Sequence, residues 1–237
     1  MNLFYHPNST ETDTEIFFDK EESRHIGKVL RKQTGDELYT TNGKGYFFKV
    51  KLQLVTPKKC TASILTVEEQ KPLPYRLHLA VAPTKLNDRY EWFLEKATEI
   101  GITEITPIIC DHSERNVIKP ERYERILQSA MKQSLKAYLP RLNEAVSYSE
   151  FIAQQKNFDG LTCIAHCEET RKQSLKDVLK AKSNVLICIG PEGDFSPVEI
   201  EAALTNGFEP VSLGTSRLRT ETAALVACHS VAFVNEV

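Results

Sequence analysis

Short apolar stretches broken by polar turns fill the first 70 residues of the chain. β-like segments fall at Leu3–His6, Ile16–Phe18, Glu37–Thr41, Gly45–Val55 and Cys60–Val67, with one helix about Glu21–Leu30. Asn42-Gly43 between two of them reads as a hairpin turn, because both residues tolerate positive φ. So many short strands in so little chain predict a small barrel. Lys71-Pro72-Leu73-Pro74 follows. Two prolines so close together stiffen the chain and resist regular structure, which sets a boundary between domains at 1–71 and 75–237.

Beyond the prolines the pattern changes. Leu77–Ala82 is a strand candidate, Thr106–Cys110 is apolar and β-branched, Leu161–Ala165 and Val185–Ile189 are short apolar runs that fit buried parallel strands, and Val211–Leu213 is a last short strand. Helices are expected at Asp88–Ile100, Pro120–Leu139, Glu168–Ala181, Pro197–Asn206 and Glu221–Val234. The first has Asp88 as N-cap with Glu91 three residues on, a start like a capping box. The second places Tyr123, Leu127, Ala130, Met131 and Tyr138 at helical spacing. Strands alternating with helices mean an α/β fold with a parallel sheet.

Charge and composition narrow the function. The 237 residues carry 30 basic and 32 acidic side chains, a net charge of −2 at pH 7. A nucleic-acid partner therefore requires a local basic patch rather than a basic chain. Arg24, Lys28, Arg31 and Lys32 supply one candidate, at spacings that share a helix face, with His25 beside it. Arg115, Lys119, Arg122 and Arg125 are a second, interleaved with acidic residues. Solvated faces look the same in sequence. No run approaches the roughly 20 apolar residues of a membrane helix. The start of the chain lacks a basic then apolar leader, so a cytoplasmic protein without a membrane partner is expected. The six cysteines show no paired C-x-x-C modules, so no metal is expected.

Two segments carry the candidate chemistry. In Ile189-Gly190-Pro191-Glu192-Gly193-Asp194-Phe195-Ser196-Pro197-Val198-Glu199 a strand runs through two glycines into a helix. Ser196 suits the N-cap, Pro197 the first helical position and Glu199 the capping box. Glycine at the carboxyl end of a parallel strand admits a ligand close to the backbone, or simply makes a tight turn. In Leu213-Gly214-Thr215-Ser216-Arg217-Leu218-Arg219-Thr220-Glu221 another strand ends in glycine, a loop with two arginines follows, and Thr220 is placed to cap the last helix. Two such loops at neighbouring strand ends would wall one pocket. The turn Ala82-Pro83-Thr84-Lys85-Leu86-Asn87 has no glycine, which argues against a dinucleotide site, and neither a P-loop nor a Gly-x-Ser-x-Gly elbow occurs.

Taken together, these residues resemble the bacterial RsmE family of 16S rRNA uridine N3-methyltransferases, members of the SPOUT (trefoil-knot) class. The likeness spans nearly the whole chain. It rests on Arg24-His25 with Val29-Leu30-Arg31, on Glu95-Lys96-Ala97-Thr98-Glu99-Ile100-Gly101, on His112-Ser113-Glu114-Arg115 and on Gln133-Ser134. Its most specific parts are Gly190-Pro191-Glu192-Gly193 and Leu213-Gly214 with Leu218-Arg219-Thr220-Glu221-Thr222-Ala223. The chain departs from the family where Asp194 stands in place of a second glycine, and where Thr215-Ser216-Arg217 replaces Pro-Arg-Ile.

The resemblance implies an N-terminal PUA-like β-barrel that helps hold RNA, and a SPOUT-like parallel sheet with a C-terminal trefoil knot over roughly 161–237. It implies S-adenosylmethionine as methyl donor, a homodimer, and 16S rRNA of the small ribosomal subunit as partner. The cofactor-binding residues would be Ala165 and His166, then Ile189, Gly190, Pro191, Glu192 and Gly193, then Leu213, Gly214, Leu218, Arg219 and Thr220. Arg24, His25, Lys28, Arg31 and Arg115 would meet RNA. Arg219 would stabilise charge building on the uracil carbonyls. Glu221 would orient that arginine, accept the proton, or only complement the helix dipole. Uracil N3 is hidden in a pair, so the target base must be unpaired or flipped out. A non-catalytic RNA-binding protein on the same scaffold, and an enzyme of this class acting on another RNA, remain alternatives.

Overall fold

A computed structural model describes residues 2–169 and 171–236. They form two compact units, one from residues 2–72 with 128–139, the other from 73–127 with 140–236.

The first unit is a curled five-stranded sheet in the order β1-β3-β4-β5-β2. Its strands are β1 (Leu3–Tyr5), β2 (Glu15–Phe18), β3 (Glu37–Thr41), β4 (Tyr46–Val55) and β5 (Cys60–Glu69), with a short helix α1 (Lys20–Arg24) after β2. Only β1 and β3 pair in parallel; the other pairs are antiparallel. Along β4, Phe48, Val50 and Leu52 point into the core while Lys51 and Gln53 face solvent. Register shifts between Lys49/Val50 and Leu52/Leu54 bend β4, as bulges do. The two edge strands meet through side chains: Phe4 and Phe18 pack edge to face, and His6 Nε2 lies 3.1 Å from the Phe17 carbonyl.

Two local expectations change here. The helix foreseen over Glu21–Leu30 splits into α1 and a π-helical turn, His25–Val29. The Leu30 N–H donates to His25 O, and Arg31 is left-handed with φ 53°. Ile26 is thereby buried completely, while Arg24, His25, Lys28 and Arg31 stay exposed. Arg31 and Lys32 thus lie past the helix, and the single helical stripe is lost. The Asn42-Gly43 turn is also longer than a two-residue hairpin. Asn42 Oδ1 accepts from the backbone N–H of Lys44 at 2.8 Å and of Tyr46 at 3.2 Å, so the asparagine side chain organises the loop.

The second unit is α/β. Its parallel sheet runs β11-β13-β10-β12-β6-β7-β8, with β9 also on β7. In chain order the elements are β6 (Leu77–Val81), α2 (Asn87–Ile100), β7 (Glu104–Ile109), α3 (Pro120–Gln133, of which residues from Gln128 on belong to the first unit), β8 (Arg141–Leu142), β9 (Val146–Ser147) and α4 (Tyr148–Gln154). Then come β10 (Leu161–Ala165), β11 (Gln173–Ser174), α5 (Leu175–Val178), β12 (Val185–Ile189), α6 (Pro197–Thr205), β13 (Glu209–Ser212) and α7 (Thr220–Asn235). β6 and β12 are buried at every position, as central strands covered on both faces must be. Among the described residues no helix is long and apolar enough to cross a membrane.

The helix expected over Glu168–Ala181 is instead a loop, the short strand β11 and the single turn α5. Lys172 Nζ donates to the carbonyls of His166 and Glu168, which holds that segment as a loop. Thr170 lies outside the described residues. α3 ends at Gln133 rather than Leu139, because Leu135 turns left-handed with φ 55°. α2 begins one residue earlier than expected. Leu86 is its cap without a side-chain bond, Asp88 lies in the first turn, and Glu91 pairs with Arg122.

At the amino ends of β6 and β7, His78 is 3% exposed, with Nε2 2.7 Å from Thr106 Oγ1 and Nδ1 4.0 Å from Glu104 Oε1. Burial holds its pKa down at about 4, helped by the charges of Arg76 and Arg141 against the pull of Glu104. Burial raises the Glu104 carboxyl, but the hydrogen bonds from Asn143 and Arg76 and the Arg76 charge outweigh it and leave it below its ordinary value. His78 is therefore neutral when folded and takes a proton when unfolded below about pH 6.5. Stability should fall as pH drops from 6.5 towards 4, by up to about 1.4 kcal/mol per pH unit for that one proton. Urea unfolding across this range should show the decline flattened in His78→Gln. An unchanged slope would mean that His78 does not carry it.

Candidate active site

Register sets the site. Ala165 pairs with Ile189 on one side and with Val211 on the other, so β10, β12 and β13 reach their carboxyl ends level. Loops leaving level parallel ends enclose a crevice, the usual ligand position in open α/β sheets. Here the loops are the described residues of 166–172, with 190–196 and 213–219.

They enclose two adjoining cavities. The larger, about 500 Å³, is lined by Ala165, His166, Cys167 and Lys172 on one side and by the 211–218 segment on the other. The smaller, about 330 Å³, is lined by Ile189 to Glu192, Asp194 and Arg217 to Thr220. Ala165, Cys167, Arg217, Leu218 and Ala223 border both, so they are two lobes of one space.

The walls mix apolar side chains with a few polar groups. His166 is 7% exposed, and neither ring nitrogen has a partner among the described residues. Burial first, then Lys172, pushes its pKa down against the pull of Asp194 and Glu168. A neutral imidazole on this wall offers one donor and one acceptor. A buried polar group without a partner is costly, so this wall suits a polar ligand group. Arg217 and Arg219 are exposed, and neither guanidinium has a hydrogen-bond or ion-pair partner among the described residues.

The two motif loops are stitched together by one hydroxyl. Thr220 is the first residue of α7, not its cap; Arg219 is the N-cap and makes no side-chain capping bond. The buried Thr220 Oγ1 instead donates to Gly190 O at 3.0 Å. The expected box at the start of α6 is present: Ser196 Oγ accepts from Glu199 N–H, and Glu199 accepts from Ser196 N–H.

The glycines divide by cause. Gly214 has φ 130°, a conformation for glycine, and nothing lies within 4 Å of where its Cβ would be. At Gly190 a Cβ would sit 3.0 Å from Phe195 Cδ2, and at Gly193 3.0 Å from His112 Cβ. Close packing within the protein thus disfavours a side chain at both positions, which fits the tight-turn reading of these glycines as well as ligand approach.

Further bonds tie neighbouring loops to this wall. Glu192 Oε1 accepts from Lys85 N–H at 3.0 Å. His112 Nδ1 lies 3.0 Å from the carbonyls of both Gly193 and Asp194. Arg115 donates to Thr84 O and Lys85 O at 3.1 and 3.0 Å. The guanidinium of Arg115 therefore organises the loop after β6.

Most residues singled out in the sequence converge. Ala165 and Leu218 line both lobes, and His166, Leu213 and Gly214 the larger. Ile189, Gly190, Pro191, Glu192, Arg219 and Thr220 line the smaller. Gly193 and Glu221 line neither. Glu221 is buried, with Oε1 3.6 Å from Arg89 NH1. Arg24, His25, Lys28 and Arg31 belong to the first unit. Lys172 was not foreseen, because it lies in a stretch read as helix, and Cys167, just before that stretch, was not expected on the cavity wall. No three His, Cys, Asp or Glu side chains gather as a metal set among the described residues.

Comparison with known proteins bears on these features. A family model for an RNA methyltransferase domain matches residues 71–232, and one for an RNA methyltransferase PUA domain matches residues 18–65. Ribosomal RNA small subunit methyltransferase E of Bacillus subtilis is 29% identical over 92% of this chain and 89% of its own. The crystal structure of a probable rRNA-methyltransferase from Porphyromonas gingivalis is 45% identical, with TM-score 0.90 over 99% of this chain and 98% of that one. The ribosomal RNA small subunit methyltransferase E from Neisseria gonorrhoeae, bound to S-adenosyl methionine, is 26% identical, with TM-score 0.87 over 99% and 98%.

Thr220→Val keeps the shape and removes the hydroxyl, which leaves Gly190 O without its donor. Stability should fall by about 1–3 kcal/mol, the cost of one buried unsatisfied carbonyl. Thr220→Ser should retain most of it. Urea unfolding of the two variants decides this, and equal stabilities would remove the hydroxyl from its stitching role.

Proposed function

The chain belongs to the RNA methyltransferase family matched over residues 71–232, and from that premise we propose that it methylates uridine N3 in 16S rRNA with S-adenosylmethionine as donor. The observation that carries this reading is the two-lobed cavity at the level ends of β10, β12 and β13. Both specific motifs wall it, and an unpaired Arg219 stands at its edge.

The residues fit the cofactor. The larger lobe has the size of a small-molecule site and the usual mixture of apolar walls with a few polar groups. His166 supplies a buried donor and acceptor with no internal partner. Ala165, His166, Leu213, Gly214 and Leu218 would hold the donor together with Ile189, Gly190, Pro191, Glu192 and Thr220, and Gly193 shapes that turn from behind. When bound, S-adenosylmethionine supplies a methyl group activated by its sulfonium.

The protein's part is positioning and charge. Thr220 holds the two loops at a fixed spacing, which keeps the reacting atoms in line. Arg219 stabilises the negative charge that builds on the uracil carbonyls as N3 loses its proton. Glu221, paired with Arg89 and turned away from both lobes, anchors the start of α7 and so aims Arg219. The exposed Arg24, His25, Lys28 and Arg31 of the first unit grip phosphates of the RNA. Arg115 acts on RNA only through the loop it organises.

The same reading takes the small ribosomal subunit as the substrate, the cytoplasm as the setting and a homodimer as the working form. It assigns RNA holding to 1–71 and methyl transfer to 75–237, with the chain knotted over roughly 161–237. The path from β13 across the ends of β10 and β12 to α7, which packs on α2, β6 and β12, supports that threading.

Small ribosomal subunits lacking the modification, given labelled S-adenosylmethionine, should yield 3-methyluridine by nucleoside mass spectrometry. Arg219→Ala should slow this at least about 100-fold, the scale of losing one charge-stabilising donor. Donor binding without methyl transfer would point to a different RNA, and absence of both to a binding protein. Reversing charge at Arg24 and Lys28 should weaken RNA binding and flatten its salt dependence while leaving donor binding unchanged. Equal loss of donor binding in that variant would count against a phosphate-contact role.

A further inference from the structure

Among the described residues, Asp194 is one of four other than glycine with positive φ, at 63°. Both oxygens of its carboxylate accept a backbone bond. Oδ1 accepts from Phe195 N–H at 2.9 Å, and Oδ2 accepts from Cys167 N–H at 2.7 Å. Its carbonyl lies 3.0 Å from His112 Nδ1, and its own N–H donates to Pro191 O at 3.0 Å.

The bond to Cys167 differs in kind from the others. Cys167 opens the loop after β10 and borders both lobes, whereas Asp194 sits in the loop after β12 and borders the smaller. The loop after β10 is otherwise held to itself, through Lys172 Nζ on the carbonyls of His166 and Glu168. Among the described residues, Asp194 Oδ2 to Cys167 N–H is the one hydrogen bond that joins these two loops. Glycine would adopt this left-handed backbone without strain. The aspartate accepts that strain and gains a carboxylate that spans the cavity mouth, where a charged acceptor makes a strong bond to a backbone N–H.

We propose that Asp194 is a positioning residue that latches the loop after β10 to the loop after β12 and so sets the affinity for the methyl donor. The proposal rests on the function given above. The latch acts before any chemistry, because it holds His166 and Cys167 against the space the donor would fill. Asp194 makes no hydrogen bond or ion pair with Arg219. Its loss should therefore weaken donor binding and leave turnover at saturation intact.

Three proteins test this: wild type, Asp194→Gly and Asp194→Asn. Glycine keeps the backbone conformation and removes both carboxylate bonds. Asparagine tolerates positive φ and keeps a carbonyl oxygen for the Cys167 N–H. Calorimetric titration with S-adenosylmethionine should give a dissociation constant at least about tenfold weaker for Asp194→Gly and within about threefold of wild type for Asp194→Asn. In the methyl-transfer assay the KM for the donor should rise in Asp194→Gly while kcat stays near wild type. Hydrogen exchange of the Cys167 amide, without ligand, should quicken in Asp194→Gly alone. Wild-type affinity in Asp194→Gly, equal weakening in both variants, or an unchanged Cys167 exchange rate would each overturn the latch. If wild type binds no donor, the proposed function fails instead, and the latch is then judged on the exchange rates.

Discussion

Three parallel strands that end level are the constraint on which this molecule turns. With Ala165 opposite both Ile189 and Val211, the segments leaving β10, β12 and β13 emerge side by side. A shift of one residue in either pairing would stagger those ends and turn the strands' side chains to the other face. The register is secure because β12 is buried at every position and β10 lies between it and β13. The core beneath the loops, including Phe151, Ile164, Cys188 and Phe195, therefore stabilises the fold and levels the rim at once.

From that rim the site is assembled by single bonds between loops rather than by any one element. Thr220 reaches Gly190, Glu192 reaches Lys85, Arg115 reaches Thr84, and Asp194 reaches Cys167. Each satisfies a backbone group of a neighbouring loop with a side chain. Such a web leaves few side chains uncommitted. His166 inside the cavity and Arg217 and Arg219 at its edge are among those without a partner, and they are the groups placed to meet a ligand.

Residues with one local reason to exist were legible in the sequence. Ser196, Pro197 and Glu199 announce a helix start through their own chemistry, and the start is there. The apolar run of β12 and the mainly apolar runs of β6 and β10 announce strands of a packed sheet. The misreadings share a cause: a local signal was overruled by a distant partner. Glu91 looked like half of a capping box but is held by Arg122. Thr220 looked like a cap but bonds to Gly190, thirty residues back. The segment after β10 looked helical, yet Lys172 keeps it a loop.

The sequence by itself determined the alternation of strands and helices and the two motif loops that wall the cavity, because these depend on spacing and on residue-intrinsic chemistry. Tertiary structure alone decided which charged groups remain available. Arg115 and Arg219 are indistinguishable as arginines in a loop, but one is consumed by two carbonyls and the other is not. Glu221 follows Arg219 closely in the chain and is nevertheless buried against Arg89. Whether a charge meets solvent, ligand or another charge depends on groups far away in sequence, and only the packed sheet brings those groups into range.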